Sequence, residues 1–455
     1  MSTESPLATG GRRSTFLAAA LAVLAGAIFL AGPVQWAAAN VREGFPGYYT
    51  AARLAAEGRW SPLVYDDTWF ARETLSVTGG RVGEIYRPNP PVASLVLLPV
   101  AGLDITTARR AWLAVEIALL IVSWLLLVAA IPALRSPPLA LGLLALVLAW
   151  TPLGVDVLMG QVYVPLLALH AAALLALRSG RGRGSRSLGA GIALGAAAAA
   201  KLAAIPWLIA LLVRGERRLV IAAVATAVVL AALTLGFAGL DGWRAFAASA
   251  WHDLTADRPS LAVTAYQSTA GLLRHLLALD ATWNPGALAN LPLVARGLGL
   301  AVGGWVVVVT VLVARRGRPD LVAAFAVTGA VLALNVAQEY TYTLLLLPAA
   351  VALGRCASAT HVRPAWTAWL AIAIALLAAP LPYRSSAIED GWLALLAYPR
   401  LYGAWLLWAW LAREITADAA EGAGDPDTGD RNAGDRDASD REAGPDPQRA
   451  TADTR

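Results

Sequence analysis

The stretch GGRRSTFLAAALAVLAGAIFLAGPV, residues 10–34, decides the fold class. Arg12 and Arg13 stand near its start, and no charged side chain occurs from Phe16 to Val34. About 20 apolar residues cross a bilayer as a helix, and arginines beside such a span mark its cytoplasmic side. The two arginines with AAAN at 37–40 also fit a cleavable signal. The apolar region is longer than a signal core, so it reads as an uncleaved first span behind a cytoplasmic N-terminus at 1–14.

The rest of the chain repeats the pattern. Of its 455 residues 58% are hydrophobic and only 15% charged, which places it among polytopic membrane proteins. The net charge of +5 reflects arginines at loop ends rather than a nucleic-acid surface. Cys356 is the single cysteine, which excludes an internal disulfide and a cysteine metal cluster. Further spans are expected near 109–132, 137–152, 162–177, 218–238, 291–314, 320–337, 340–354, 365–382 and 392–412. The basic loops RSGRGRGSR (178–186) and RRGR (315–318), with Arg355 and Arg413, then share the cytoplasmic side. The expected architecture is an all-α bundle of ten to twelve membrane helices over 15–417, with outer loops at 35–108 and 239–290. PPVASLVLLPVAGL (90–103) is too short to span and reads as re-entrant or interfacial. From 418 to 455 the chain becomes an Asp-, Arg- and Gly-rich low-complexity tail, expected to be disordered and cytoplasmic.

Residues 187–213 lie between two arginine-rich flanks, so they read as a broken hairpin with Lys201 and Pro206 near its tip. Lys201 is the only lysine in the sequence. An ionisable group at that depth costs about 2.5–3.5 kcal/mol and faces a cavity or a partner, unless it snorkels to the interface. Gln338 and Glu339, in NVAQEYTY (335–342), form a second polar island, either functional or an exposed helix end.

No phosphate-binding glycine loop, dinucleotide fingerprint or histidine pair at ligand spacing occurs, and the four histidines are scattered. The first outer loop holds tyrosines, four acids (Glu43, Asp66, Asp67, Glu84) and two arginines (Arg53, Arg87) just before its short apolar run. Aromatics pack on sugar faces, acids bind hydroxyls and arginine grips phosphate, so the mixture suits a sugar phosphate. An interfacial aromatic belt is the alternative.

Six segments in order resemble glycosyltransferase family 87, the polyprenol-phosphate-mannose-dependent mannosyltransferases with a GT-C fold. They are FPGYYTAARLAAEGRWSPLVYDD (45–67), IYRPNPPVASLVLLP (85–99), GQVYVPLLALHAAALL (160–175), GAAAAAKLAAIPWLIALLVR (195–214), YQSTAGLLRHLL (266–277) and QEYTYTLLLLP (338–348). The resemblance implies inverting transfer of a hexose, mannose foremost, from a polyprenyl-phosphate donor to an envelope glycolipid or glycan at the outer face of a bacterial cell membrane, with no metal or other cofactor. The matching segments hold Tyr48, Tyr49, Arg53, Arg87, Asn89, Gln161, Lys201, Gln267, Ser268, Gln338 and Glu339 as substrate-binding candidates, to which the outer loops add Glu84 and Arg258. Arg87, Arg258 and Lys201 are those for the phosphate.

The chain departs from the family pattern at telling places. Where the family has aspartate before its Phe-x-x-Tyr-Tyr element, this sequence has Gly44, with Glu43 one place earlier. Inverting transfer needs a carboxylate base, so Glu43 is the first candidate, Asp66 and Asp67 follow, and Glu84 is a further acid within reach. Tyr266 replaces the asparagine of an Asn-Gln-Ser element, and the proline after Lys201 falls later than usual, at Pro206. A lipid-linked-sugar transporter or flippase, or an inactive envelope scaffold, is the alternative; a second copy of the Lys201 segment or the Tyr48-Tyr49 loop, as a repeat transporter would have, is missing from the sequence.

Overall fold

Prolines and polar breaks divide the apolar sequence into short and long helices. The computed structural model describes the backbone of residues 6–179, 183–255, 259–358 and 364–423. Arg258 and the tail from 424 onward lie outside the described residues. α1 (Pro6–Phe29) runs through a wide π-turn around Pro33 into α2 (Gln35–Ala39). Proline has no N–H to give, and the ladder slips by one residue there. α3 (Phe45–Ala56) and α4 (Asp67–Val77) build the first outer segment. α5 (Ile105–Ala130), α6 (Pro137–Leu148), α7 (Thr151–Met159) and α8 (Tyr163–Arg178) follow. Next come α9 (Arg183–Ala200), α10 (Ile205–Val213), α11 (Arg217–Thr255) and α12 (Thr269–Leu277). α13 (Pro292–Ala314), α14 (Pro319–Ala333), α15 (Leu346–Ser358), α16 (Pro364–Ala378) and α17 (Pro399–Ala423) complete the chain. Among the described residues there are two isolated β-bridges and no strand.

The protein is an all-α polytopic membrane protein; among the described residues five helices, or six with one bent pair, are long and apolar enough to cross by themselves, against the ten to twelve spans expected. Arg12–Ala39, Ile105–Ala130, Arg217–Asp253, Pro292–Ala314 and Glu339–Ser358 are long and apolar enough to cross a membrane. α6 and α7, bent by 53° at their break, make a sixth. The shorter apolar helices include α8, α14 and α16; α14 and α16 stop before the ends of their expected spans, at the polar Asn335 and at Pro380. The expected outer loop from 239 begins instead as helix: α11 bends at Gly239 and continues to Thr255. Residues 91–100 form 3-10 turns rather than a span. At the other end α17 runs past the expected tail boundary, where Arg355 pairs with Asp418 at 2.5 Å.

Lys201 breaks the helix it was expected to break. Its extended backbone (φ −152°, ψ 137°) separates α9 from a 3-10 turn and α10. α9 packs on α11 through Gly195, whose missing side chain leaves room for the Ala223 carbonyl; a Cβ there would sit 2.3 Å from it. α14 is apolar all round and is buried from Leu321 to Leu332, with Phe325 stacked on Trp408 at 4.8 Å.

A buried ion pair on α5 positions the turn after α7. Arg109 and Glu116 lie two helical turns apart on one face, and their charged groups meet at 3.0 Å with 1% and 0% of the side chains exposed. The Arg109 guanidinium also donates to the Val157 carbonyl, and Trp112 Nε1 donates to the Gly160 carbonyl at 3.2 Å. Gly160 closes α7 in the left-handed conformation, and a Cβ on it would meet Phe45 Cβ at 2.9 Å. Replacing Glu116 by leucine leaves Arg109 buried and unpaired, a loss of about 3–5 kcal/mol. The Arg109→Met/Glu116→Leu double variant is expected to recover most of that loss, read as the thermal midpoint of the detergent-solubilised protein.

Candidate active site

The turn at Gly160 and the start of α3 meet at a cavity of about 200 Å³. Its wall is drawn from distant parts of the chain: Gly44, Gly47 and Tyr48 at the start of α3, then Glu84, Arg87 and Asn89. Gln161 and Tyr163 follow α7, Lys201 stands at the α9 break, and Asp253 ends α11. Tyr266, Gln338 and Tyr340 close it, with Tyr266 and Gln338 joined by a β-bridge.

Glu84 forms one side. Its Oε1 accepts the Gly44 N–H at 2.6 Å and its Oε2 the Gly47 N–H at 2.9 Å. These are free donors at the start of α3, where a helix leaves its first N–H groups without internal partners. Burial nevertheless pushes the Glu84 carboxyl up to about 7, with the nearby Glu43 charge acting in the same sense. Between the ordinary carboxyl range and 7 the folded chain therefore holds a proton that the unfolded chain has released. This group's contribution to stability is complete below its unfolded value and is lost as the pH rises through 7.

Tyr48 and the amides form the floor. The Tyr48 hydroxyl lies 3.2 Å from Gln161 Oε1 and 3.3 Å from Asn89 Oδ1, and its one proton serves one acceptor at a time. Asn89 is held in turn by Nδ2 donating to the Tyr86 carbonyl at 2.5 Å, and its own carbonyl accepts from Tyr65 at 3.0 Å.

The two cations differ. Arg87 is clamped between Asp67 and Asp253, the latter at 3.6 Å, so it joins the first outer segment to the end of α11. Among the described residues no carboxylate comes within ion-pairing distance of Lys201. Its Nζ lies instead against two ring faces, 5.7 Å from the Tyr48 centroid and 5.8 Å from that of Tyr163.

Other candidates sit elsewhere. Glu43 is 58% exposed, paired with Arg42 outside the cavity. Asp66 caps α4, accepting from the Trp69 N–H at 2.8 Å, while Asp67 is engaged with Arg87. Tyr49 donates to the Leu103 carbonyl at 2.5 Å, and Arg53 pairs with Glu57 at 2.7 Å on an exposed face. Gln267 is buried, donating to the Thr264 and Ala397 carbonyls at 2.8 and 2.7 Å. Ser268 caps α12, accepting from Gly271, and donates to the Asn335 carbonyl. Glu339 is no exposed helix end. It is buried against Arg400 at 2.7 Å and accepts from Tyr383 at 2.7 Å, fastening its segment to α17.

Sequence reasoning passed over Asp253, Tyr163 and Tyr340, and also Asp156, which is fully buried one turn before Gly160. Asp156 and Glu116 were open to detection as acids inside apolar runs. Asp253 carries no such signal, since only the continuation of α11 brings it here.

Gly44 accounts for the departure from the aspartate pattern. Its φ of +109° disfavours any side chain, and a Cβ would stand 2.5 Å from both Gln161 Nε2 and the Met159 carbonyl.

The family model described as Glycosyltransferase family 87 matches residues 88–337, more than half of the chain. It takes in Asn89, Gln161 and Lys201 and begins just after Glu84. No curated protein and no solved structure matches.

Gly44→Ala is expected to cost about 1–3 kcal/mol in stability and to lower activity by displacing Gln161. Gly44→Asp should not raise activity above wild type. Thermal unfolding and a sugar-transfer assay on both variants check this.

Proposed function

The chain belongs to glycosyltransferase family 87 and is a membrane glycosyltransferase, and from that premise we propose that it moves a hexose, mannose foremost, from a polyprenyl-phosphate donor to an envelope glycolipid or glycan, with inversion. On this reading the reaction runs at the extracytoplasmic face of the bacterial cell membrane, and both termini are cytoplasmic. The first-span arginines and the arginine-rich loops support that orientation.

The observation that carries the reading is the unpaired lysine in the cavity wall. A lipid monophosphate leaves with negative charge, and a preorganised cation facing it lowers the barrier without a metal. Arg87 is already neutralised by two carboxylates, whereas Lys201 is not. The opposite needs of a sugar are met in the same space: tyrosine rings for its apolar faces, and Asn89, Gln161 and Gln338 for its hydroxyls. At about 200 Å³ the cavity is smaller than the roughly 300–1,000 Å³ that encloses drug-sized ligands, which favours one sugar ring at a time.

The compact ammonium between two ring faces also favours lysine over arginine's broad planar head. In a transfer assay with radiolabelled polyprenyl-phosphate-mannose and envelope lipid extract, Lys201→Gln is expected to raise the donor KM about 10–100-fold, the equivalent of one charge-assisted hydrogen bond. Lys201→Arg should recover only part of the loss. Wild-type behaviour of Lys201→Gln would remove the phosphate role, and full activity of Lys201→Arg would show that charge alone suffices.

A further inference from the structure

The two carboxylates of the cavity wall are held in different ways. Asp253 is engaged by Arg87. Glu84 pairs with no cation among the described residues and accepts only two backbone N–H groups, one on each oxygen. Each oxygen therefore keeps a lone pair for a further proton. The segment that carries it is anchored, since the Glu84 N–H donates to Thr74 Oγ1 at 2.8 Å and Thr74 donates to the Ala71 carbonyl at 2.9 Å within α4.

Capping α3 does not by itself call for this arrangement. A serine or aspartate at the cap position would serve a helix start locally. Here the cap residue is Gly44, where no side chain fits, and the carboxylate comes from 40 residues farther along the chain, facing the cavity. The outward-lying Glu43, the capping Asp66 and the ion-paired Asp67 are each committed elsewhere.

We propose that Glu84 is the general base of the transfer, the carboxylate that receives the acceptor hydroxyl's proton; this rests on the lipid-phosphate donor reading above. The acceptor oxygen forms its bond to the anomeric carbon as the bond from that carbon to the phosphate oxygen breaks. The electron pair of the broken bond departs with polyprenyl phosphate, beside Lys201. The acceptor's proton passes to a free lone pair of Glu84, leaving a neutral carboxylic acid that returns the proton to solvent. One carboxylate and one ammonium, neither in a direct ion pair among the described residues, thus serve the two ends of the displacement.

The same geometry sets a pH dependence. Glu84 is faced by the Tyr48 and Tyr340 hydroxyls, by Lys201, by the Arg87–Asp253 pair and, from the outer side, by Glu43. Burial outweighs the two N–H donors and raises its carboxyl to about 7. The base is ionised above that value, so turnover should rise with pH through neutrality.

The test uses the full-length protein in detergent, radiolabelled polyprenyl-phosphate-mannose and envelope lipid extract, with kcat, donor KM and pH profile measured for wild type, Glu84→Gln, Glu84→Asp and Glu43→Gln. Glu84→Gln is expected to lower kcat by about 10²–10⁴-fold, to leave donor KM unchanged and to lose the rise near pH 7. Glu84→Asp keeps the rise at reduced kcat, and Glu43→Gln keeps the rise and the kcat reached above it, with the rise moved to slightly lower pH because a neighbouring negative charge is removed. Thermal unfolding of Glu84→Gln, expected near the wild-type midpoint, separates lost chemistry from lost fold. A Glu84→Gln variant with wild-type kcat, or one with low kcat that retains the rise, overturns the base assignment while the donor reading stands. Absence of transfer by wild type overturns the donor reading, and the assignment falls with it.

Discussion

Two full charges buried in an apolar bundle, Arg109 and Glu116, are the contact from which the cavity is built outward. Removing them from water is costly, and the cost is offset only if their geometry is held. α5 supplies that geometry by placing them two turns apart. Arg109 also donates to the Val157 carbonyl near the end of α7, and its guanidinium lies 5.5 Å from the Phe45 ring. The same arginine thus touches the two segments that meet at the site. Gly160 and Gly44 are the points of closest approach, and neither leaves space for a side chain.

The charges in the cavity are distributed unevenly. Arg87 is matched by two acids, one from the first outer segment and one from the end of α11, and so serves as a clasp between them. Among the described residues neither Lys201 nor Glu84 has a direct ion-pair partner; Asp156 is the buried acid whose charge reaches Lys201, and Glu84 is held by backbone N–H groups alone. On the proposed reading an anionic substrate group would meet Lys201, while Glu84 keeps its free lone pairs for a proton.

Much of this was legible in the sequence, for local reasons. Apolar run length and arginine flanks identified a membrane protein. An alanine run interrupted by one lysine marked the break that the backbone shows at Lys201. Motif order led to Tyr48, Arg87, Asn89, Gln161, Lys201 and Gln338, and the acids of the first outer loop to Glu84; the fold gathers all of them on one cavity. The same motifs also included Tyr49, Arg53, Gln267, Ser268 and Glu339, which hold helices and turns together instead. A polar residue in a motif looks alike in both roles, because only its partners separate binding from bracing. Fewer of the described helices are long and apolar enough to cross by themselves than the expected spans, since hydropathy registers an apolar segment without registering where its ladder breaks.

The sequence by itself determined that the chain is helical and membrane-embedded and where Lys201 interrupts it, because each follows from near neighbours along the chain, and which family it resembles, because the order of motifs is a property of the sequence alone. Only the tertiary structure decided which acid faces the cavity unpaired and which cation there has no direct ion-pair partner among the described residues. Glu43 and Glu84 are equally acidic on paper. One is turned outward beside Arg42, while the other is drawn inward by the backbone of Gly44 and Gly47. The basicity of a carboxylate depends on the dielectric and the charges around it, and here those are set by segments up to hundreds of residues apart.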